Sequence, residues 1–148
     1  MAGYWPSSFF ACFSDIIADN EVSVHGYDIV RRDRPLNGRN GGGACFYIRS
    51  NINYDVSKDL VFDQLESLNS IKISKPRSKS FIAATWYRRP NLPFELFSDF
   101  ESFVGKLDAE RKEYYVMGDF NCKLSKSLSL EFLRLYLDGS LREIRDDK

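Results

Sequence analysis

The stretch Gly118-Asp119-Phe120-Asn121 is central to the interpretation of this chain. It follows the apolar run Tyr114-Tyr115-Val116-Met117, which predicts a β-strand leading into it. A carboxylate and a carboxamide two residues apart, just past a strand end, can face the same cleft. Taken alone, however, the stretch favours an Asx-type turn that closes the strand, because Gly, Asp and Asn are common turn residues.

Apolar periodicity predicts one clear helix and several strands upstream of this stretch. Within residues 92–110, large apolar side chains recur at helical spacing and form one face, and Pro93 suits the first turn. Period-two alternation and β-branched or aromatic residues predict strands at 27–31, 44–49, 68–74 and 80–87. Two further segments are also predicted: 51–56, which either continues the strand at 44–49 or pairs beside it, and a helical pattern at 127–144.

Size and charge set broad limits on the function. The 148 residues predict one domain, and 43% hydrophobic content is enough for a packed core. The 21 basic and 21 acidic residues cancel, so net charge gives no support for DNA binding, although a local cluster could still contact phosphate. One cluster within nine residues is either such a site or a solvated loop: Arg31, Arg32, Arg34 and Arg39.

Cysteine usage and the first residues predict a soluble intracellular protein, located in either the nucleus or the cytoplasm. Cys12, Cys45 and Cys122 are odd in number and lack zinc-site spacing, so reduced thiols are expected. Cys45 lies in a predicted core strand, where we expect a small buried apolar residue. The apolar stretch at 1–13 is short, broken at Pro6 and lacks a basic lead, so neither a secretory signal nor a membrane contact is expected.

Two more motifs precede Gly118–Asn121, namely Gly41-Gly42-Gly43 and Thr85-Trp86-Tyr87-Arg88-Arg89-Pro90-Asn91. In this order, the three motifs resemble the endonuclease/exonuclease/phosphatase superfamily, in particular the endonuclease domain of LINE-type (non-LTR) retrotransposons. The resemblance implies a deoxyribonuclease-I-like α/β sandwich of two sheets, mostly antiparallel, with flanking helices. It covers residues 19–124 as an incomplete domain, between divergent segments at 1–18 and 125–148. Sheet edges left unpaired in an incomplete sandwich favour self-association.

The resemblance also implies Mg²⁺-dependent hydrolysis of phosphodiesters in DNA. It assigns Asp119 and Asn121 to orienting or deprotonating the attacking water and contacting the phosphate, with Asp119 also a metal ligand. Tyr87 would approach the scissile phosphate, because a phenol can donate a hydrogen bond to it. An ordinary strand-end aromatic is the alternative for Tyr87, and both can hold. Arg88 and Arg39 are the predicted substrate contacts.

Other residues that the resemblance leads us to expect are missing. The position of the metal-binding Glu falls at residues 10–14, which contain no carboxylate, and Asp15 is the nearest substitute. The catalytic His has no counterpart, because His25 is the only histidine and is expected at the surface of a loop. Glu66 is interpreted as structural, with a place beside the metal as the alternative.

We therefore expect a retrotransposon-derived endonuclease-like domain that is inactive or weakly active. Losing two electrostatic stabilisers from one preorganised site leaves little chemistry. The alternatives are an active Mg²⁺-dependent nuclease, a non-catalytic nucleic-acid or protein-binding module of the same fold, and a fragment that folds poorly.

Overall fold

The computed structural model describes residues 18–33, 43–74, 76–90, 92–93 and 95–121. Several sequence predictions lie outside these residues, namely those for Cys12, Asp15, Arg34, Arg39, Cys122 and the helix at 127–144. The described residues comprise the strands β1 (Tyr27–Asp33), β2 (Gly43–Arg49), β3 (Asn53–Val56), β4 (Asn69–Ser74), β5 (Phe81–Tyr87) and β6 (Glu113–Asp119), the helix α1 (Leu96–Ala109), and 3₁₀ turns at Asp19–Glu21 and Lys58–Leu60.

The strands form two sheets. β1 and β2 pair antiparallel in one sheet, and the other has the order β3-β4-β5-β6. Its first two pairings are antiparallel, whereas β5 and β6 are parallel. Parallel neighbours need a crossover connection, and α1 provides it. The fold class is therefore the expected mixed α/β sandwich.

The segment 51–56 corrects one prediction. It neither continues β2 nor pairs beside it, because β3 pairs with β4 in the other sheet. A tight turn after β2, in which the Ile52 amide donates to the Arg49 carbonyl at 2.9 Å, carries the chain from one sheet to the other. Alternation within the segment could not reveal which sheet it joins.

The predicted apolar face of α1 covers one face of the four-stranded sheet. Trp86 lies at the centre of this layer, with its ring stacked on Phe100 at 4.9 Å between centroids. The buried cluster also includes Ile82 and Ala84 from β5 and four more residues of the helix, Phe97, Phe103, Val104 and Leu107. The predicted helix is confirmed, but it begins at Leu96, so Pro93 lies before the helix and not in its first turn as expected.

The opposite face of the same sheet packs on β2. Phe46 and Ile48 of β2 meet Ile71, Ile73 and Ala83 in a second buried cluster. The alternation predicted for the two central strands is thus confirmed, since their odd-numbered residues share the face between the sheets. Cys45 is 1% exposed within β2, as expected for a small buried residue.

Polar side chains also join the two sheets. The buried Asn69 side chain donates from Nδ2 to the Val30 carbonyl at 2.9 Å, and Arg32 donates to the Leu68 carbonyl at 2.9 Å. β1 is thereby fixed over the start of β4. The same end of β4 lies beside the end of β5, because Asn69 is opposite Thr85 in the antiparallel pairing.

Candidate functional site

The ends of β5 and β6 bring two predicted site residues together. Tyr87 and Asp119 are the last residues of the two strands and lie opposite each other in the parallel register. Alternation places both on the same face as Ala83 and Met117, which belong to the cluster between the sheets. Asp119 is exposed and Tyr87 is half-buried, so the two side chains leave neighbouring strands on one face at the same end of the sandwich.

Gly118 is required by the close approach of these two strands. It lies opposite Trp86 in the register, and a Cβ at position 118 would stand 2.0 Å from the Trp86 carbonyl oxygen. No side chain fits at that distance. The glycine of the stretch 118–121 therefore belongs to the strand pairing, and the turn begins after it.

The predicted Asx turn is present at Asp119. The Asn121 amide donates to Asp119 Oδ1 at 3.0 Å, and Asn121 has a φ of +42°, which asparagine tolerates better than most residues. Asp119 therefore both forms the turn and keeps an exposed carboxylate. The structural interpretation from sequence is confirmed, and the catalytic one stays a prediction.

Arg88 lies on the other face of the sheet from its neighbour Tyr87. It is 5% exposed, and its guanidinium lies over the Phe97 ring of α1 at 5.0 Å from the centroid. Its donors reach the main-chain carbonyls of Asn121 at 3.2 Å, of Phe120 at 3.4 Å and of Leu92. The predicted contact between Arg88 and a substrate would require the guanidinium to leave these carbonyls.

Asn121 is also bound to the end of β5. Its Nδ2 donates to the Arg88 carbonyl at 2.7 Å, and the Arg88 amide donates to the Asp119 carbonyl at 2.9 Å. Hydrogen bonds thus run in both directions between the two strand ends. The predicted catalytic side chain of Asn121 helps hold the site together in this conformation.

Glu66 reaches the same end of the sheet from the loop before β4. Its Oε2 lies 3.2 Å from the NH2 group of Arg89, in an ion pair with both side chains partly buried. The structural interpretation of Glu66 agrees with this contact. Its alternative place beside a metal would compete with Arg89 for the carboxylate.

Arg31 and Arg32 lie in β1 and not in a solvated loop, and a phosphate contact by either stays a prediction. Arg31 forms ion pairs with Asp19 at 2.9 Å and Asp33 at 2.8 Å. Burial lowers the pKa of Arg31, but hydrogen bonds and the charges of Asp33 and Asp19 outweigh it, so the net shift is upward. The carbonyls of Leu68 and Phe62 accept from Arg32. Both arginines therefore stabilise the fold.

His25 is exposed, as expected.

Asp119 is the exposed carboxylate at this end of the sheet. Mg²⁺ prefers about six oxygen ligands, several of them water, held by carboxylates. In the part of the chain that the structure describes, no group of three or more His, Cys, Asp or Glu side chains could hold a metal ion. The assignment of Asp119 as a metal ligand stays a prediction.

The two stacked sheets with a flanking helix form a deoxyribonuclease-I-like α/β sandwich, and two solved structures share this fold. The endonuclease domain of TRAS1, a telomere-specific non-LTR retrotransposon, is similar, with a TM-score of 0.58, 10% sequence identity, and coverage of 78% of this chain and 54% of that chain. The human Nocturnin catalytic domain, solved with a bound sulfate anion, is similar too, with a TM-score of 0.51, 15% identity, and coverage of 82% and 54%.

These likenesses establish the fold, and the resemblance inferred from the sequence motifs is confirmed at that level. The chain spans about half the length of these two structures. No family model and no curated protein matches the chain. Within the described residues, no helix has the length and apolar character needed to cross a membrane.

Proposed function

We propose that this chain is a retrotransposon-derived endonuclease-like domain that contacts DNA and retains part of a phosphodiester-hydrolysing site, with little or no cleavage. The observation that supports this is the register of β5 and β6, which sets Tyr87 opposite the exposed Asp119. The similar TRAS1 domain is an endonuclease of a retrotransposon, which supports DNA as the target.

The two side chains can supply complementary parts of the reaction. A phenol donates a hydrogen bond to a phosphate oxygen, and a carboxylate accepts a proton from the attacking water. Neither neutralises the charge that develops at phosphorus. The loss of one group that stabilises this charge costs about 10²–10³ in rate. Residues 10–14, where the resemblance places the metal-binding Glu, contain no carboxylate, and His25 is the only histidine, so we expect very slow turnover.

Nicking of supercoiled plasmid by the purified 148-residue chain with Mg²⁺ tests the proposal. We expect at most trace nicking, and any trace should disappear in Asp119→Ala. Asp55→Ala is the matched control, because Asp55 is an exposed carboxylate on β3. Rapid nicking that Asp119→Ala abolishes would overturn the expectation of little or no cleavage. Asp15 and Glu66 would then be the next residues to replace.

DNA contact is tested separately by fluorescence anisotropy of a labelled duplex over a range of salt concentrations. Affinity should fall linearly with salt on logarithmic axes, because phosphate contacts release counterions. No binding at low salt would refute the DNA part of the proposal.

The alternative, a non-catalytic protein-binding module, rests on the sheet edges. Among the described strands, β1, β2, β3 and β6 each have only one neighbour. Self-association through such an edge should appear as a concentration-dependent mass in sedimentation.

A further inference from the structure

Arg88 is a buried cation whose contacts are unusual for a substrate-binding residue. Among the described residues, no carboxylate lies within 4.0 Å of it, and its Nε has no hydrogen-bond partner. A buried charge that is not paired is costly. The compensation here comes from three main-chain carbonyls and from the face of the Phe97 ring.

The carbonyls belong to the segments that make up the site. Phe120 and Asn121 follow β6, whereas Leu92 precedes α1. Arg88 itself follows β5 directly. One guanidinium therefore joins the ends of two parallel strands to the start of the helical crossover, on the face of the sheet away from Tyr87 and Asp119.

The main chain of Arg88 completes the link. Its amide donates to the Asp119 carbonyl at 2.9 Å, and its carbonyl accepts from Asn121 Nδ2 at 2.7 Å. Asn121 is thus held at two points. Its main-chain carbonyl accepts from the Arg88 guanidinium, and its carboxamide donates to the Arg88 carbonyl. The Asn121 amide also donates to Asp119 Oδ1. The bonds that hold Asn121 therefore set the direction of the Asp119 carboxylate.

We infer that Arg88 is a positioning residue, which holds the turn at residues 119–121 against the end of β5 and thereby orients Asp119 and Asn121. The planar fork of arginine suits this position, because it donates to carbonyls in different directions at once. A lysine carries the same charge on a single nitrogen and cannot reproduce this geometry. The inference does not depend on whether the domain cleaves DNA.

Hydrogen exchange followed by NMR provides the first test. In Arg88→Met, the main-chain amide of residue 88 should exchange about 10- to 100-fold faster relative to the Ile71 amide, the range expected for loss of hydrogen bonds to a charged group. The Asn121 carboxamide resonances should shift towards those of free asparagine. Arg88→Lys should show a smaller change of the same kind.

Arg89→Met is the matched control, because Arg89 is the next arginine along the chain and pairs with Glu66. It should leave the residue 88 amide and the Asn121 resonances unchanged. An unchanged ratio of the residue 88 and Ile71 exchange rates in Arg88→Met would overturn the inference, since Arg88 would then contribute only to global stability. If Arg88→Met does not fold, the same ratio in Arg88→Lys decides.

Salt dependence of DNA binding separates positioning from direct phosphate contact. A residue that contacts phosphate lowers the salt slope by about one when it is replaced by an uncharged residue. We expect Arg88→Met to leave the slope unchanged, and a loss of about one would overturn the inference. If the wild-type chain does not bind DNA, the exchange ratio alone decides, so this inference and the proposed function can fail independently.

Discussion

Tyr87 lies opposite Asp119 in the parallel pairing of β5 and β6. The cores on both sides of the sheet set this register, because Val116 and Trp86 pack against α1 while Met117 and Ala83 pack between the sheets. A slip of one residue would exchange these faces. The juxtaposition of phenol and carboxylate is therefore a consequence of core packing.

Gly118→Ala should destabilise the domain strongly. The new methyl group would collide with the Trp86 carbonyl oxygen, and a main-chain atom cannot rotate away as a side chain can. Overpacking of this kind costs about 1–3 kcal/mol, and we expect the upper end of that range. Urea denaturation, with circular dichroism as the readout, would measure the change in the free energy of unfolding.

Gly105→Ala is the contrasting substitution. Gly105 lies within α1, and a Cβ there would meet no atom within 4 Å. Alanine is the better helix former, so the free energy of unfolding should rise by about 0.5–1 kcal/mol. A stabilised Gly118→Ala or a destabilised Gly105→Ala would contradict the strand and helix positions described for these glycines.

Asn69→Ala should loosen the contact between the two sheets. The buried amide donates to the Val30 carbonyl, and its removal leaves that acceptor without this partner. We expect a loss of about 1–3 kcal/mol in the free energy of unfolding. Asn53→Ala, at an exposed position in β3, should change it by less than about 0.5 kcal/mol. Equal effects of the two substitutions would argue against the cross-sheet hydrogen bond.

Alkaline pH should reduce the stability that Tyr47 provides. Burial, followed by the charge of Cys45, raises the pKa of the Tyr47 phenol above its ordinary value of 10.0, although Arg31 opposes the shift. The phenol also donates to the Val22 carbonyl at 2.7 Å. The folded state therefore keeps this proton at pH values where the unfolded chain loses it. The contribution is complete below about pH 10 and is lost as the pH rises through the folded pKa.

Denaturation of Tyr47→Phe and the wild type between about pH 8 and pH 11 would check this. Below about pH 10 the wild type should be more stable by about 1 kcal/mol, because of the hydrogen bond. Above about pH 10 that advantage should shrink, by up to about 1.4 kcal/mol per pH unit. Burial and Asp28 also raise the pKa of Tyr54, so some alkaline destabilisation should remain in the variant. An advantage that grows with pH would contradict the direction of the shift.

Local patterns in the sequence predicted much of the sandwich. The apolar stripe of α1 and the alternation of β4 and β5 were sufficient, because each reflects a choice between a buried and an exposed face within one element. The Asx turn at Asp119 was equally local. The segment 51–56 was misplaced because pairing with β4 depends on a turn direction that alternation does not encode.

Contacts between distant residues were beyond such patterns. Nothing near Arg88 in the sequence indicates that its guanidinium would meet the carbonyls of Phe120 and Asn121, 32 and 33 positions later. The pairing of Glu66 with Arg89 and the cross-sheet role of Asn69 are of the same kind. Each depends on two elements packing in one particular register.

Periodicity was enough to specify the element types and the faces that become buried, whereas the catalytic roles of Tyr87, Asp119 and Asn121 rest on the family resemblance and stay predictions. The folded arrangement was needed to make Tyr87 and Asp119 neighbours, to require glycine at position 118 and to bury Arg88. The physical reason is that strand register and sheet stacking arise from close packing of residues far apart in the chain, which no short stretch contains.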